Sequence, residues 1–169
     1  NNIGLAYLSM PMVEASDQLR MAVAVQSFRE ACRMFTRESD PGMWAATHLN
    51  LANSLQYLPS SHPAENLGKA VEIYESLLEV RDREQDPVGY ARVLANQANA
   101  LAHLGGLVVA LAKFREARGM AMRAGATDLE EAITEQIDRI EHHRAKGARG
   151  AEGANDDAPA DAPERANEA

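Results

Sequence analysis

Asn50-Leu51-Ala52-Asn53-Ser54-Leu55-Gln56 returns as Asn96-Gln97-Ala98-Asn99-Ala100-Leu101-Ala102, and a looser copy stands earlier as Asn2-Ile3-Gly4-Leu5-Ala6-Tyr7-Leu8. The leading asparagines of successive copies lie 48 and 46 residues apart. A second phrase keeps step with the first: Ala24/Phe28/Ala31, Ala70/Tyr74/Leu77 and Ala110/Phe114/Ala117 place a small residue, an aromatic and a small or aliphatic residue at fixed offsets. Two phrases recurring in register, at a period of about 20–50 residues, mark a chain built of stacked repeats. One such unit leaves an apolar face open, and the next unit covers it.

Working outward from these phrases, the periodicity predicts helices throughout. Leu19, Val23, Ala24, Phe28, Ala31, Cys32 and Phe35 are helically spaced from Asp17 to Arg37. Asp40-Pro41 stops that helix. Further helices are expected over about 43–58, 65–83, 88–104 and 107–124, with breaks at Pro59–Pro63, Asp86-Pro87 and Gly105-Gly106. A last helix, over 127–146, carries an apolar stripe of Leu129, Ile133, Ile137 and Ile140; Asp128 is expected to cap it, with Glu131 reaching back. No strand pattern is present. The expected units are repeats over 1–39, 40–85 and 86–125, then a capping helix. Residues 147–169, all small, charged or proline, lack the apolar side chains needed to offset ordering entropy and are expected to be disordered.

The paired phrases resemble the tetratricopeptide repeat (TPR) family. Its first helix carries Asn-Leu-Gly-x-Ala, matched at Asn2, Asn50 and Asn96, and its second helix carries the small–aromatic–small offsets matched at Phe28, Tyr74 and Phe114. The resemblance covers about residues 1–125. It implies an all-α, right-handed superhelix of stacked antiparallel hairpins whose first helices line an inner face that holds peptides. The repeats are longer than the usual 34 residues of the family. The recurring Asp-Pro-x-x-Trp/Tyr-Ala at Asp40–Ala45 and Asp86–Ala91 is similar to the long repeats of large bacterial signalling and regulatory proteins. That similarity implies a second role, as a regulatory segment contacting an effector domain of the same protein. The phrase at Asn2 lacks the lead-in that precedes Asn50 and Asn96, so the repeat is expected to continue N-terminally. Its open end offers a surface for self-association.

Composition narrows the chemistry. A net charge of −8 argues against nucleic acid, whose phosphates demand clustered Lys and Arg. It also disfavours an anionic membrane surface. No apolar run approaches the length of a bilayer span. The one cysteine, Cys32, has no intramolecular partner and fits a reducing, cytoplasmic setting. His142 and His143 are adjacent and point to different sides of a helix; with no HExxH and no cysteine pair beside the five histidines, no metal site is expected. No P-loop, Gly-rich fingerprint or carboxylate pair is present, so no cofactor and no catalysis is expected. The residues matching the groove positions of the family are Ala46, Asn50, Asn53, Tyr57, Arg92, Asn96, Asn99 and His103, with Asn2, Leu5 and Ser9 in the first copy. A carboxamide offers both donors and an acceptor and can hold an extended peptide backbone; it can equally tie one helix to the next. Trp44 and Tyr90 occupy equivalent places and are expected to staple each hairpin to the helix before it.

Overall fold

A proline at the first position of a helix gives up only an N–H that has no intrahelical partner, and an aspartate just before it supplies the missing acceptor. The chain uses this device twice. Asp40 accepts from the Met43 N–H at 2.9 Å and Asp86 from the Gly89 N–H at 2.9 Å, each opening a helix on Pro41 or Pro87. The Asp-Pro pairs therefore start the following helices and do not end the preceding ones, which stop at Met34 and Val80, before either pair is reached. The following helices begin up to two residues before the predicted points.

The computed structural model describes residues 17–153. Among them are six α-helices and no strand: α1 Asp17–Met34, α2 Pro41–Gln56, α3 Pro63–Val80, α4 Pro87–His103, α5 Leu107–Arg123 and α6 Thr127–Gly153. Each helix packs on the next in sequence, and α4 also touches α2 and α6. The first repeat phrase at Asn2, and with it the expected self-association face, lies outside the described residues, as do residues 154–169. α3 runs from Pro63 to Val80, two residues earlier at its start and three at its end than expected, and three further features differ. α1 ends at Met34, where Thr36 and Ser39 bond to one another and turn the chain. α6 continues to Gly153, beyond Lys146, so residues 147–153, expected to be disordered, are helical. Asp128 is not the cap of α6; the helix begins one residue earlier, the Ala126 carbonyl accepts from the Glu130 N–H, and Asp128 and Glu130 lie in the first turn, where they complement the helix dipole.

The small–aromatic–small phrases form the contact surfaces. Ala24, Ala70 and Ala110 are fully buried, with Phe28, Tyr74 and Phe114 beside them. Two apolar clusters result. The first joins Phe28, Trp44, Leu51, Leu55, Tyr74 and Leu77 across α1–α3; the second joins Leu111, Phe114, Met120, Ile133 and Ile137 across α5 and α6. α4 serves both, giving Val93 and Ala100 to the first and Ala91, Leu94, Ala95 and Ala98 to the second. Between those faces Gln97 is 1% exposed and donates to Glu75 of α3.

The aromatic staple has a second half that the sequence did not predict. The Arg37 guanidinium lies 4.4 Å from the Trp44 ring, donates to the Ser76 carbonyl at 3.3 Å and approaches Glu79. Arg83 repeats this over Tyr90, 5.5 Å from its ring, with a bond to Glu116 at 3.1 Å. Each loop is thereby clipped to the helix after the next one, α3 for Arg37 and α5 for Arg83.

The last two turns are glycine turns. Gly105 (φ 85°) and Gly125 (φ 66°) adopt left-handed backbone just beyond α4 and α5. In each, two N–H groups return to the last turn: Gly105 to Ala102 and Gly106 to Leu101, then Gly125 to Met122 and Ala126 to Ala121. This is the Schellman arrangement.

Two stability outcomes are expected in urea titrations. Asp40→Ala and Asp86→Ala should each cost about 1 kcal/mol through the lost cap. Gly105→Ala should cost about 1 kcal/mol through its positive φ, whereas Gly68→Ala, inside α3 with no atom within 4 Å of an added Cβ, should stabilise by about 0.5–1 kcal/mol. Equal effects at the two glycines would exclude the turn assignment.

Candidate binding groove

Two cross-helix hydrogen bonds set α2 and α4 side by side. Asn96 Nδ2 donates to Asn53 Oδ1 at 3.0 Å, and Asn99 Nδ2 donates to the Tyr57 hydroxyl at 3.1 Å. The order of partners rises along both helices, so the helices run parallel. α6 lies on the other side of α4, with α5 between them in sequence. The first residues of α4 and α6, Pro87 and Thr127, are 40 residues apart, and the same shift carries Asn96, Asn99 and His103 onto Gln136, Arg139 and His143. α6 thus continues the row of first helices.

Where the ends of these helices meet, a cavity of about 410 Å³ opens. Tyr57, Asn99 and His103 form one wall and Gln136, Arg139 and His143 the other; Ala102, Leu107 and Ile140 supply its apolar lining. The predicted site residues divide accordingly. Tyr57, Asn99 and His103 are brought together at the cavity. Asn53 and Asn96 bond to each other and lie half-buried between the helices. Asn50 is half-buried in α2, where its carbonyl accepts the Ser54 hydroxyl at 2.8 Å. Arg92 is exposed near the start of α4, eleven residues and about 16 Å from His103 along the helix. Asn2, Leu5 and Ser9 lie outside the described residues.

Asn53 is bound still more tightly into the fold. Its Oδ1 also accepts the Tyr74 hydroxyl at 2.7 Å, which lies 3.2 Å from Gln56 Oε1 as well. Burial, reinforced by Tyr57, pushes the Tyr74 hydroxyl well above the usual tyrosine range, so it stays a proton donor. One carbonyl oxygen therefore joins α2, α3 and α4.

The residues missed from sequence are Gln136, Arg139 and His143. Their signal was the 40-residue shift from α4, obscured because α6 lacks the Asn-x-Ala-Asn phrase. Arg139 takes part in no ion pair among the described residues; with His143 it also lines a second, more open depression that Glu135, Asp138 and His142 share. Other reactive groups have structural uses. His48 Nδ1 bonds to the Trp44 carbonyl at 2.9 Å, and its ring stacks at 4.6 Å on the indole. Burial pushes the half-buried Cys32 thiol up, which leaves it a poor nucleophile. Among the described residues, no three His, Cys, Asp or Glu side chains gather in a way that could hold a metal, and no helix is long and apolar enough to cross a membrane.

Compared with family models, with curated proteins and with solved structures, the chain matches none.

Asn53→Ala should destabilise the protein by about 1–3 kcal/mol, because it leaves the Asn96 amide without its acceptor and the buried Tyr74 hydroxyl with only the longer bond to Gln56. Asn99→Ala, whose one bond is to an exposed phenol, should cost about 0.5 kcal/mol or less. Thermal melts that rank the two in the opposite order would remove Asn53 from its structural role. The raised Tyr74 pKa also fixes a sign. The neutral hydroxyl is favoured in the folded state, so its contribution is complete below pH ~10 and is lost as pH rises from there toward the folded value. Urea midpoints should fall above pH ~10, and Tyr74→Phe should make that fall shallower.

Proposed function

We propose that the chain is a non-catalytic protein-interaction scaffold, a TPR-like right-handed stack of helical hairpins, that binds an extended peptide or a protein surface along the α2–α4–α6 face. The observation that carries this reading is the cavity at the ends of the three first-type helices. Tyr57, Asn99 and His103 meet there against a row of donors from α6. Its volume is that of a ligand cleft, about 300–1,000 Å³, and its lining mixes apolar contact with convergent polar groups. The repeat phrases add weight, since small residues at the helix contacts and polar residues on one face suit a surface shaped to hold a chain.

The division among the asparagines sharpens the reading. Asn53 and Asn96 set the spacing of α2 and α4, while Tyr57, Asn99 and His103 supply contact to the partner. Tyr57 is well suited to it, an exposed aromatic whose hydroxyl already carries a bond and whose ring can lie against a peptide.

The test is selection of a displayed random-peptide library on the immobilised 169-residue chain. Recovered peptides should lose affinity about 10-fold or more with Tyr57→Ala or His103→Ala, as removal of a contact residue of about 1.4 kcal/mol or more does. They should bind unchanged to Val108→Ser, an exposed residue of α5 outside the cavity lining. Recovery of no binders, or of binders indifferent to Tyr57 and His103, would overturn the reading.

A further inference from the structure

The lining of the cavity runs against the net charge of the chain. The protein carries 25 acidic against 17 basic residues, yet no carboxylate is among the residues that line this cleft. Arg139 and His143 come from successive turns of α6 and His103 from the end of α4, all on one opening; Asn99 and Gln136 add carboxamide donors. Arginine has five N–H donors and no acceptor, and its planar fork matches a carboxylate. Here no ion pair with a described residue occupies it. Four arginines elsewhere are engaged, Arg37 with Glu79, Arg81 with Asp86, Arg83 with Glu116 and Arg115 with Glu141. Arg92, Arg123 and Arg144 are, like Arg139, exposed and in no ion pair among the described residues; Arg139 is set apart by its place in a cleft whose lining holds no carboxylate. Arg139 lines the cleft beside the apolar side chains of Leu107 and Ile140, and also borders the adjoining depression that holds Glu135 and Asp138.

We propose that this cleft is an acidic-peptide site. It takes the side-chain carboxylate of an aspartate or glutamate on Arg139, and seats a neighbouring aliphatic residue of the same peptide against Leu107 and Ile140. The inference rests on the peptide-binding reading above and names its ligand class. Two features of the cleft set the pattern. The cationic and amide donors recognise a negative, acceptor-only group. The apolar patch within the same opening requires that group to be flanked by an aliphatic side chain, so a bare polyacidic run lacks one of the two contacts. The net charge of −8 repels acidic partners at long range. Recognition is therefore local, made by the side chains lining the opening and not by the field of the whole molecule.

A charge reversal at one position tests this without disturbing the fold, because Arg139 is exposed. The displayed library is selected in parallel on the unaltered chain, on Arg139→Glu, and on Arg144→Glu as a charge control from the same helix outside the cleft lining, with thermal melts confirming that all three fold. The unaltered chain and Arg144→Glu should both enrich Asp or Glu beside Leu, Ile or Val; Arg139→Glu should lose that enrichment and gain Lys or Arg. An acidic peptide recovered from the unaltered chain and made with blocked ends should bind by fluorescence anisotropy about tenfold more weakly to Arg139→Gln. Its Glu→Gln counterpart should weaken by a similar factor on the unaltered chain. Binders that show no acidic preference, or the same preference from Arg139→Glu, would overturn the acidic-peptide assignment and leave the groove standing. Preference for phosphoserine over glutamate in the same peptide would also overturn it. Failure to recover any binder removes the groove itself.

Discussion

Everything in this structure depends on how closely neighbouring helices approach at three alanines. Ala24, Ala70 and Ala110 have no side chain beyond Cβ, so the backbone of the facing helix can come in against them. The aromatic ring one turn later, at Phe28, Tyr74 or Phe114, then fills the wedge that the close contact opens beside it. A larger residue at the alanine separates the helices and leaves the ring without a complete wall; a smaller one at the ring leaves a void. Small residues and aromatics are therefore interdependent in each repeat. With only 5% aromatic residues, the chain places three of them at this position, where close packing makes them worth most.

Polar groups add specificity to contacts that apolar packing alone would leave free to slide. The Asn53 carbonyl accepts from Tyr74 on one side and Asn96 on the other, fixing the rotation of α2 against both neighbours. Gln97 to Glu75 and the Arg37 and Arg83 clips act similarly between α3, α4 and α5. Side chains of long reach are held here by several partners, which limits the alternative registers available to a stack of similar hairpins. The polar ladder and the cavity are consequences of one alignment: parallel neighbours whose ends coincide.

Much of the architecture was legible in the sequence, because it depends on short-range patterns. The Ala70/Tyr74/Leu77 offsets read directly as a buried helix face, and Gly105-Gly106 as a turn. Helix boundaries were harder, since Pro41 and Pro87 read as stops but open the helices that follow, while the preceding ones already end at Met34 and Val80. The site was only partly legible. Tyr57, Asn99 and His103 sit at matching repeat positions and could be chosen from spacing. Asn53 has the same credentials, yet its oxygen is taken up by Tyr74, a contact that depends on how α3 is rotated and that no spacing rule reveals. Arg139 was hidden for a different reason. α6 keeps the register of α4 but not its phrase, having Ile133 and Ile137 where α4 has Val93 and Gln97.

The double membership of α4 has a consequence for how the molecule responds to load. Two apolar clusters that share no wall would open independently. Here Val93 and Ala100 belong to one and Ala91, Leu94, Ala95 and Ala98 to the other, so neither can part from α4 without exposing the back of the helix that closes its neighbour. The helix that carries Asn99 and His103 is thus held from both sides. The side chains it gives to the cavity rest on a helix that cannot open without exposing both clusters, so their placement is completed when the protein folds.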